Sequence, residues 1–159
     1  MKTLVTTVMM SVVAAVPVAA QSFDSSHLRG TWRCAYTSDS YEAQETVEYH
    51  QSGMSRSRFT SIFEWDGIDM AFTAVATGPW TLRGDQLRNE NSTFQLESIT
   101  VAGVTFRPEG RNRDIARALP EPQRSTTITL SVLDRELYGG SVGMAPDEVQ
   151  VVCKRDFSQ

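Results

Sequence analysis

The sequence predicts an all-β fold, an antiparallel up-and-down barrel of about eight strands with one short helix. Three observations point there. Short segments of period-two alternation recur along the chain, each bounded by turn residues. The dipeptides Asp66-Gly67 and Gly84-Asp85 suit the tight turns of β-hairpins, and the Asp66-Gly67 hairpin takes a register with one apolar and one mostly polar face. The two cysteines, Cys34 and Cys153, lie near opposite ends of the chain, where a covalent link would bring the first strand to the last.

The chain has 159 residues and a formal net charge of −4. Residues 1–20 read as a secretory signal peptide: Lys2, an apolar run from Leu4 to Val18, then the small residues Val18-Ala19-Ala20. Cleavage near Ala20 leaves residues 21–159, a secreted or periplasmic chain. Lys2 goes with the leader, so 14 basic side chains face 19 acidic ones, a net charge of −5. That length suits one domain with one core. The acidic balance argues against nucleic acid as a partner. The mature chain has no apolar run long enough for a spanning helix. Two cysteines in an oxidising compartment predict one disulfide, Cys34–Cys153. Its loop takes in most of the mature chain, which in the chain-entropy model is worth roughly 4–5 kcal/mol.

The elements follow in order. Residues 31–37 alternate Trp32, Cys34 and Tyr36 against Arg33, Ala35 and Thr37. Residues 44–50 make a second strand, ended by Gln51-Ser52-Gly53. Residues 54–65 and 68–77 flank Asp66-Gly67. A two-residue loop there pairs Trp65 with Ile68, Phe63 with Met70, Ser61 with Phe72 and Phe59 with Ala74, all on one face. The other face pairs Glu64 with Asp69, Thr60 with Thr73 and Arg58 with Val75. Residues 79–83 and 86–91 form a hairpin about Gly84-Asp85, with glycine first as a type II′ turn requires. Leu82 then faces Leu87, and Trp80 faces Asn89. Residues 93–101 and 104–106 are further strands. Residues 111–119 read as the helix, with Ile115 and Leu119 four apart and Pro120 and Pro122 ending it. Residues 124–133 alternate again. A Gly/Pro-rich loop at 139–146 leads to the last strand, 147–155.

Pairing the first and last strands with Cys34 opposite Cys153 sets Tyr36 against Val151 and Trp32 against Arg155, with the apolar residues on the cysteine face. First-to-last pairing removes both sheet edges, as a closed barrel requires. Gly30-Thr31-Trp32, after the short polar lead at 25–29, resembles the G-x-W opening of lipocalins and related calycin barrels. The resemblance implies a basic residue near the end of the last strand packed over the tryptophan, and Arg155 is the matching position. The run from Gly78-Pro79-Trp80 to Gly84-Asp85-Gln86-Leu87 is similar to a G-x-W-x-L-x-G-D-x-L segment of small secreted bacterial lipocalin-like domains.

The aromatic set carries the functional expectation. Phe59, Phe63, Met70, Phe72 and Trp80 fall on or near the inward faces, while Ser57, Ser61, Ala74 and Ala76 on the same face leave room. An eight-stranded barrel either fills its interior with side chains or holds one small ligand. The first expectation is therefore an exported, non-catalytic binding protein for a small apolar or amphipathic ligand. The second is a periplasmic protein–protein interaction or inhibitor module with a filled core, using Arg111, Arg113 and Arg117 toward an anionic partner surface. No cofactor and no metal are expected. His27 and His50 stand at no metal-ligand spacing, and no G-x-S-x-G elbow marks a nucleophile. Glu64, Asp66 and Asp69 gather at one hairpin tip, most simply as a solvated acidic turn.

Overall fold

Alternating apolar and polar residues with tight turns between them build a closed barrel in the computed structural model, which describes residues 23–112, 124–144 and 147–158. Among these, ten strands form: β1 (Gly30–Thr37), β2 (Glu42–Tyr49), β3 (Met54–Trp65), β4 (Ile68–Arg83), β5 (Gln86–Glu90), β6 (Thr93–Val101), β7 (Val104–Phe106), β8 (Ser125–Leu133), β9 (Leu137–Met144) and β10 (Asp147–Arg155). Every pairing is antiparallel. Eight strands close a ring in the order β1-β2-β3-β4-β5-β8-β9-β10, and β10 returns to β1. Closure leaves these strands no free edge. The remaining pair, β6 and β7, stands outside the ring. β6 continues the line of β5 along the same edge of β4, pairing with residues 70–77 where β5 pairs with 80–83.

The registers follow the turn chemistry. Asp66 and Gly67 both adopt positive φ, 53° and 75°, as a type I′ hairpin demands, and Phe63 pairs with Met70 and Phe59 with Ala74. Gly84, at φ 61°, opens the next turn, and Leu82 pairs with Leu87 and Trp80 with Asn89. Cys34 lies opposite Cys153 and is joined to it by a disulfide, with Trp32 opposite Arg155.

Two expectations meet a different outcome, and a third falls mostly outside the described residues. The loop expected at 139–146 is largely strand β9, with residues 145–146 outside the described set. Gly139 and Gly140 permit close approach rather than a turn. A Cβ on Gly140 would lie 2.1 Å from the Thr129 carbonyl oxygen, beside a register shift between Leu130 and Val132. The break expected at Gly78 is likewise absent, and β4 runs through it. A Cβ there would lie 1.6 Å from the Glu90 carbonyl oxygen, at the point where the partner of β4 changes from β6 to β5. The helix expected at 111–119 falls mostly on residues outside the described set. Its first two residues belong to a 3-10 turn, Gly110–Asn112, and the other described helical turn is Ser25–His27.

One end of the barrel is packed solid. Trp32, Tyr49, Leu87, Ile128, Tyr138 and Val151 are at most 2% exposed and belong to one cluster with the disulfide. The Trp32 and Tyr138 rings meet edge to face at 4.9 Å. Leu28 plugs this end, and its carbonyl accepts the Trp32 indole N–H at 2.6 Å. The Arg155 guanidinium lies 4.3 Å from the Trp32 ring centroid and donates to the carbonyls of His27, Arg29 and Arg135. Gly30, at φ 116°, leaves space for it: a Cβ there would meet Arg155 Nη1 at 2.6 Å.

Four outcomes are expected from this arrangement. Oxidised protein should show no free thiol under denaturing, non-reducing conditions. The Cys34→Ala/Cys153→Ala variant should lose about 3–5 kcal/mol in urea unfolding. Gly78→Ala should cost ~2 kcal/mol or more, because backbone must move. Gly143→Ala, where an added Cβ meets nothing within 4 Å, should be neutral or slightly stabilising in the same assay.

Candidate functional site

The inner positions of the barrel differ in size. Bulky rings fill the end closed by Trp32. Other inward residues, Ala43, Ser55, Ser57, Ser61 and Ala76, are small and all at most 9% exposed. Side chains this small cannot meet across an eight-stranded barrel. They leave a cavity of about 360 Å³, within the range of small-molecule sites. Phe59, Phe63 and Phe72 line its upper wall. Phe59 and Phe63 each pack against Phe72, at 5.8 and 6.0 Å between centroids, and Phe94 lies 6.0 Å from Phe59.

The first hairpin supplies the cavity's charge. In β2, Ala43 and Val47 are buried, and Glu45 lies between them on the same face, directly opposite Cys34. Its carboxylate enters the cavity wall, where Oε2 accepts a hydrogen bond from the Tyr36 hydroxyl and Ser57 offers a second. Burial raises the Glu45 pKa above the ordinary glutamate value, and the bonds from Tyr36 and Ser57 partly offset that rise. Burial likewise pushes Tyr36, Tyr49 and Tyr138 upward, so these phenols remain protonated donors. The Tyr41 hydroxyl lies 3.0 Å from Ser61 Oγ. Asn89 donates to the Tyr49 hydroxyl at 3.2 Å, while its own Oδ1 is buried without a hydrogen-bond partner. Glu45 is the one ionisable acid or base among the described lining residues whose charge changes near neutral or acidic pH.

Three of the five aromatic and apolar candidates thus share the cavity, and two do not line it. Met70 pairs with Phe63 and Val101 and is buried higher on the projecting sheet. Trp80 lies below the cavity, its ring 5.3 Å from Tyr49 and its indole N–H directed to the His50 carbonyl at 3.3 Å. The period-two pattern gives the face of a strand but not the height along the barrel, which separates Trp80 from Phe72 on the same strand. Glu45, Tyr36 and Asn89 escaped the sequence reading. The signal for Glu45 was present: extending the register of the first strand through one hairpin sets it beside Cys34.

The other candidates do not converge. His27 contributes its carbonyl to Arg155, and His50 is exposed, 3.6 Å from Glu48. Glu64 and Asp69 are opposed across the β3–β4 hairpin, and Asp66 occupies its turn. No group of three or more His, Cys, Asp or Glu among the described residues is placed to hold a metal ion. Arg113 and Arg117, like residues 1–20, lie outside the described set, as does the side chain of Arg111. No described helix is long and apolar enough to cross a membrane. No protein-family model matches the chain, and no curated protein matches it.

The partly buried carboxylate has a thermodynamic consequence. Its folded-state pKa is raised, so the folded state holds the proton to higher pH than the unfolded state does. The contribution of Glu45 is most favourable below its unfolded pKa and declines as pH rises through the folded one. Glu45→Gln should therefore gain stability relative to the parent protein on going from pH 4 to pH 8, read as the difference between two urea-unfolding curves at each pH.

Proposed function

We propose that this chain is an exported, non-catalytic binding protein that takes a small apolar or amphipathic molecule into the hollow half of a lipocalin-like barrel. The observation that carries the reading is the contrast within one interior. Trp32, Tyr49 and Tyr138 pack part of the interior to near-complete burial, while serines of β3 and alanines of β2 and β4 leave about 360 Å³ beside a phenylalanine wall. Small residues at inward positions are a poor way to build a core, since interiors gain stability from close packing. They are a direct way to keep a site open.

Kinship with lipocalin-like barrels is supported by the arrangement of Gly30, Trp32 and Arg155, which follows the resemblance in its residues and its contacts. Export is supported by the leader-like residues 1–20 together with the Cys34–Cys153 disulfide.

Native mass spectrometry of protein purified from its own compartment should show a bound small molecule. The stripped protein should enhance the fluorescence of the neutral apolar probe N-phenyl-1-naphthylamine. Ala76→Leu, which adds volume inside the cavity, should reduce that uptake at least tenfold without costing more stability in urea unfolding than overpacking does, about 1–3 kcal/mol. A strictly unliganded mass with no probe uptake, or equal uptake by the filled variant, would overturn the reading.

A further inference from the structure

The cavity has a one-sided polar character. Two of its lining residues carry acceptors with unfilled positions. Asn89 Oδ1 is buried and has no hydrogen-bond partner. Glu45 accepts from Tyr36 and Ser57, yet a carboxylate offers about four acceptor positions. No Lys, Arg or His stands among the described lining residues. An anionic ligand would therefore meet a carboxylate with no cation beside it, and burying two like charges together is unfavourable. A cation would meet the opposite situation. Glu45 lies directly across from Phe59 in the β2–β3 pairing, and Phe59 belongs to the ring cluster with Phe72 and Phe94. Aromatic rings next to a carboxylate suit an ammonium group, by ion pairing and by cation–π attraction together.

Resting on the pocket reading above, we infer that the ligand is an amphipathic amine, its ammonium group held by Glu45 and its apolar body by the phenylalanine wall. The groups that face Glu45 are consistent with this role. Tyr36 from β1, Tyr41 before β2, Tyr49 from β2 itself, Ser57 from β3 and Tyr138 from β9 are all neutral hydroxyls. None of them supplies the positive charge that a buried carboxylate lacks. A bound ammonium would supply it, and would by linkage pull the Glu45 titration back down.

The test uses three probes of equal chain length: octylamine, octanol and octanoate, measured at pH 8 by displacement of N-phenyl-1-naphthylamine. An aliphatic ammonium stays charged at that pH, since such amines titrate at about 10.4. Octylamine is expected to bind at least tenfold more tightly than octanol, and octanoate more weakly than either. The preference for amine over alcohol should shrink in the parent protein as the pH is lowered and Glu45 takes up its proton. In Glu45→Gln, checked for fold by its melting transition and disulfide, octylamine should bind no better than octanol at pH 8. Parity of amine and alcohol in the parent protein, a preference for octanoate, or an amine preference that survives Glu45→Gln would overturn the inference and leave the apolar pocket standing. Failure of all three probes and of the dye would remove both.

Discussion

The pairing of the first strand with the last is the constraint on which everything else depends. It aligns Cys34 with Cys153 and Trp32 with Arg155 in one register. The disulfide removes unfolded-chain entropy worth roughly 4–5 kcal/mol for so long a loop. Arg155 then ties the lead at 27–29 and the turn between β8 and β9 to the last strand through the carbonyls of His27, Arg29 and Arg135 while lying on the Trp32 ring. A slip of one residue would turn every inward side chain of the strand outward. The cysteines would part, and Trp32 would lose both the Leu28 carbonyl and Arg155. The closed end is therefore specified several times over by covalent, aromatic and hydrogen-bonding terms that agree.

That register reaches the cavity through a single hairpin. With Cys34 inward, its antiparallel neighbour Glu45 is inward too, as are Ala43 and Val47 on either side. The alternation that fills the barrel at Trp32 and Tyr49 thus delivers a carboxylate to its middle and small residues above it. The β3–β4 hairpin then supplies the wall with Phe59, Phe63 and Phe72, and Phe94 of β6 packs against Phe59. Packing and hollowness share one interior, with bulky inward residues on β1, β8, β9 and β10 and small ones on β3.

Local chemistry made much of this legible in the sequence. Asp66-Gly67 and Gly84-Asp85 fix hairpin registers because two-residue turns leave no slack, and both pairings stand as read. The cysteine register could be drawn because a disulfide limits Cα separation. Glycine is where legibility ended. Gly139 and Gly140 read as loop by composition, but they serve the close passage of β9 against β8 and β10, a contact between residues far apart in sequence. Gly78 reads as a strand end for the same reason, although its role is to admit the Glu90 carbonyl. Trp80 and Met70 show the matching limit for side chains. Their faces follow from alternation, but their distance from the cavity depends on where the barrel is plugged, and that is set by Leu28 and Trp32.

Glu45 is the residue that the fold itself does not call for. The closed end is satisfied by Trp32, Arg155 and the disulfide without reference to it. Barrel closure depends on backbone pairing that an uncharged residue at position 45 would preserve. Its burial raises its pKa, which means that keeping it ionised costs folding free energy. Tyr36 and Ser57 reduce that cost without cancelling it, since both are neutral and the carboxylate keeps unused acceptor positions. A charged group that weakens its own scaffold is better accounted for by what it meets in another state of the protein than by the scaffold. Its residue lines a cavity that such a partner could enter, and the unpaired Asn89 Oδ1 within the same wall asks for the same kind of donor. The two observations are independent, one a charge without a counter-charge and the other an acceptor without a proton. Both are resolved by a molecule that brings protons and positive charge on an apolar body, and neither is resolved by a hydrocarbon alone.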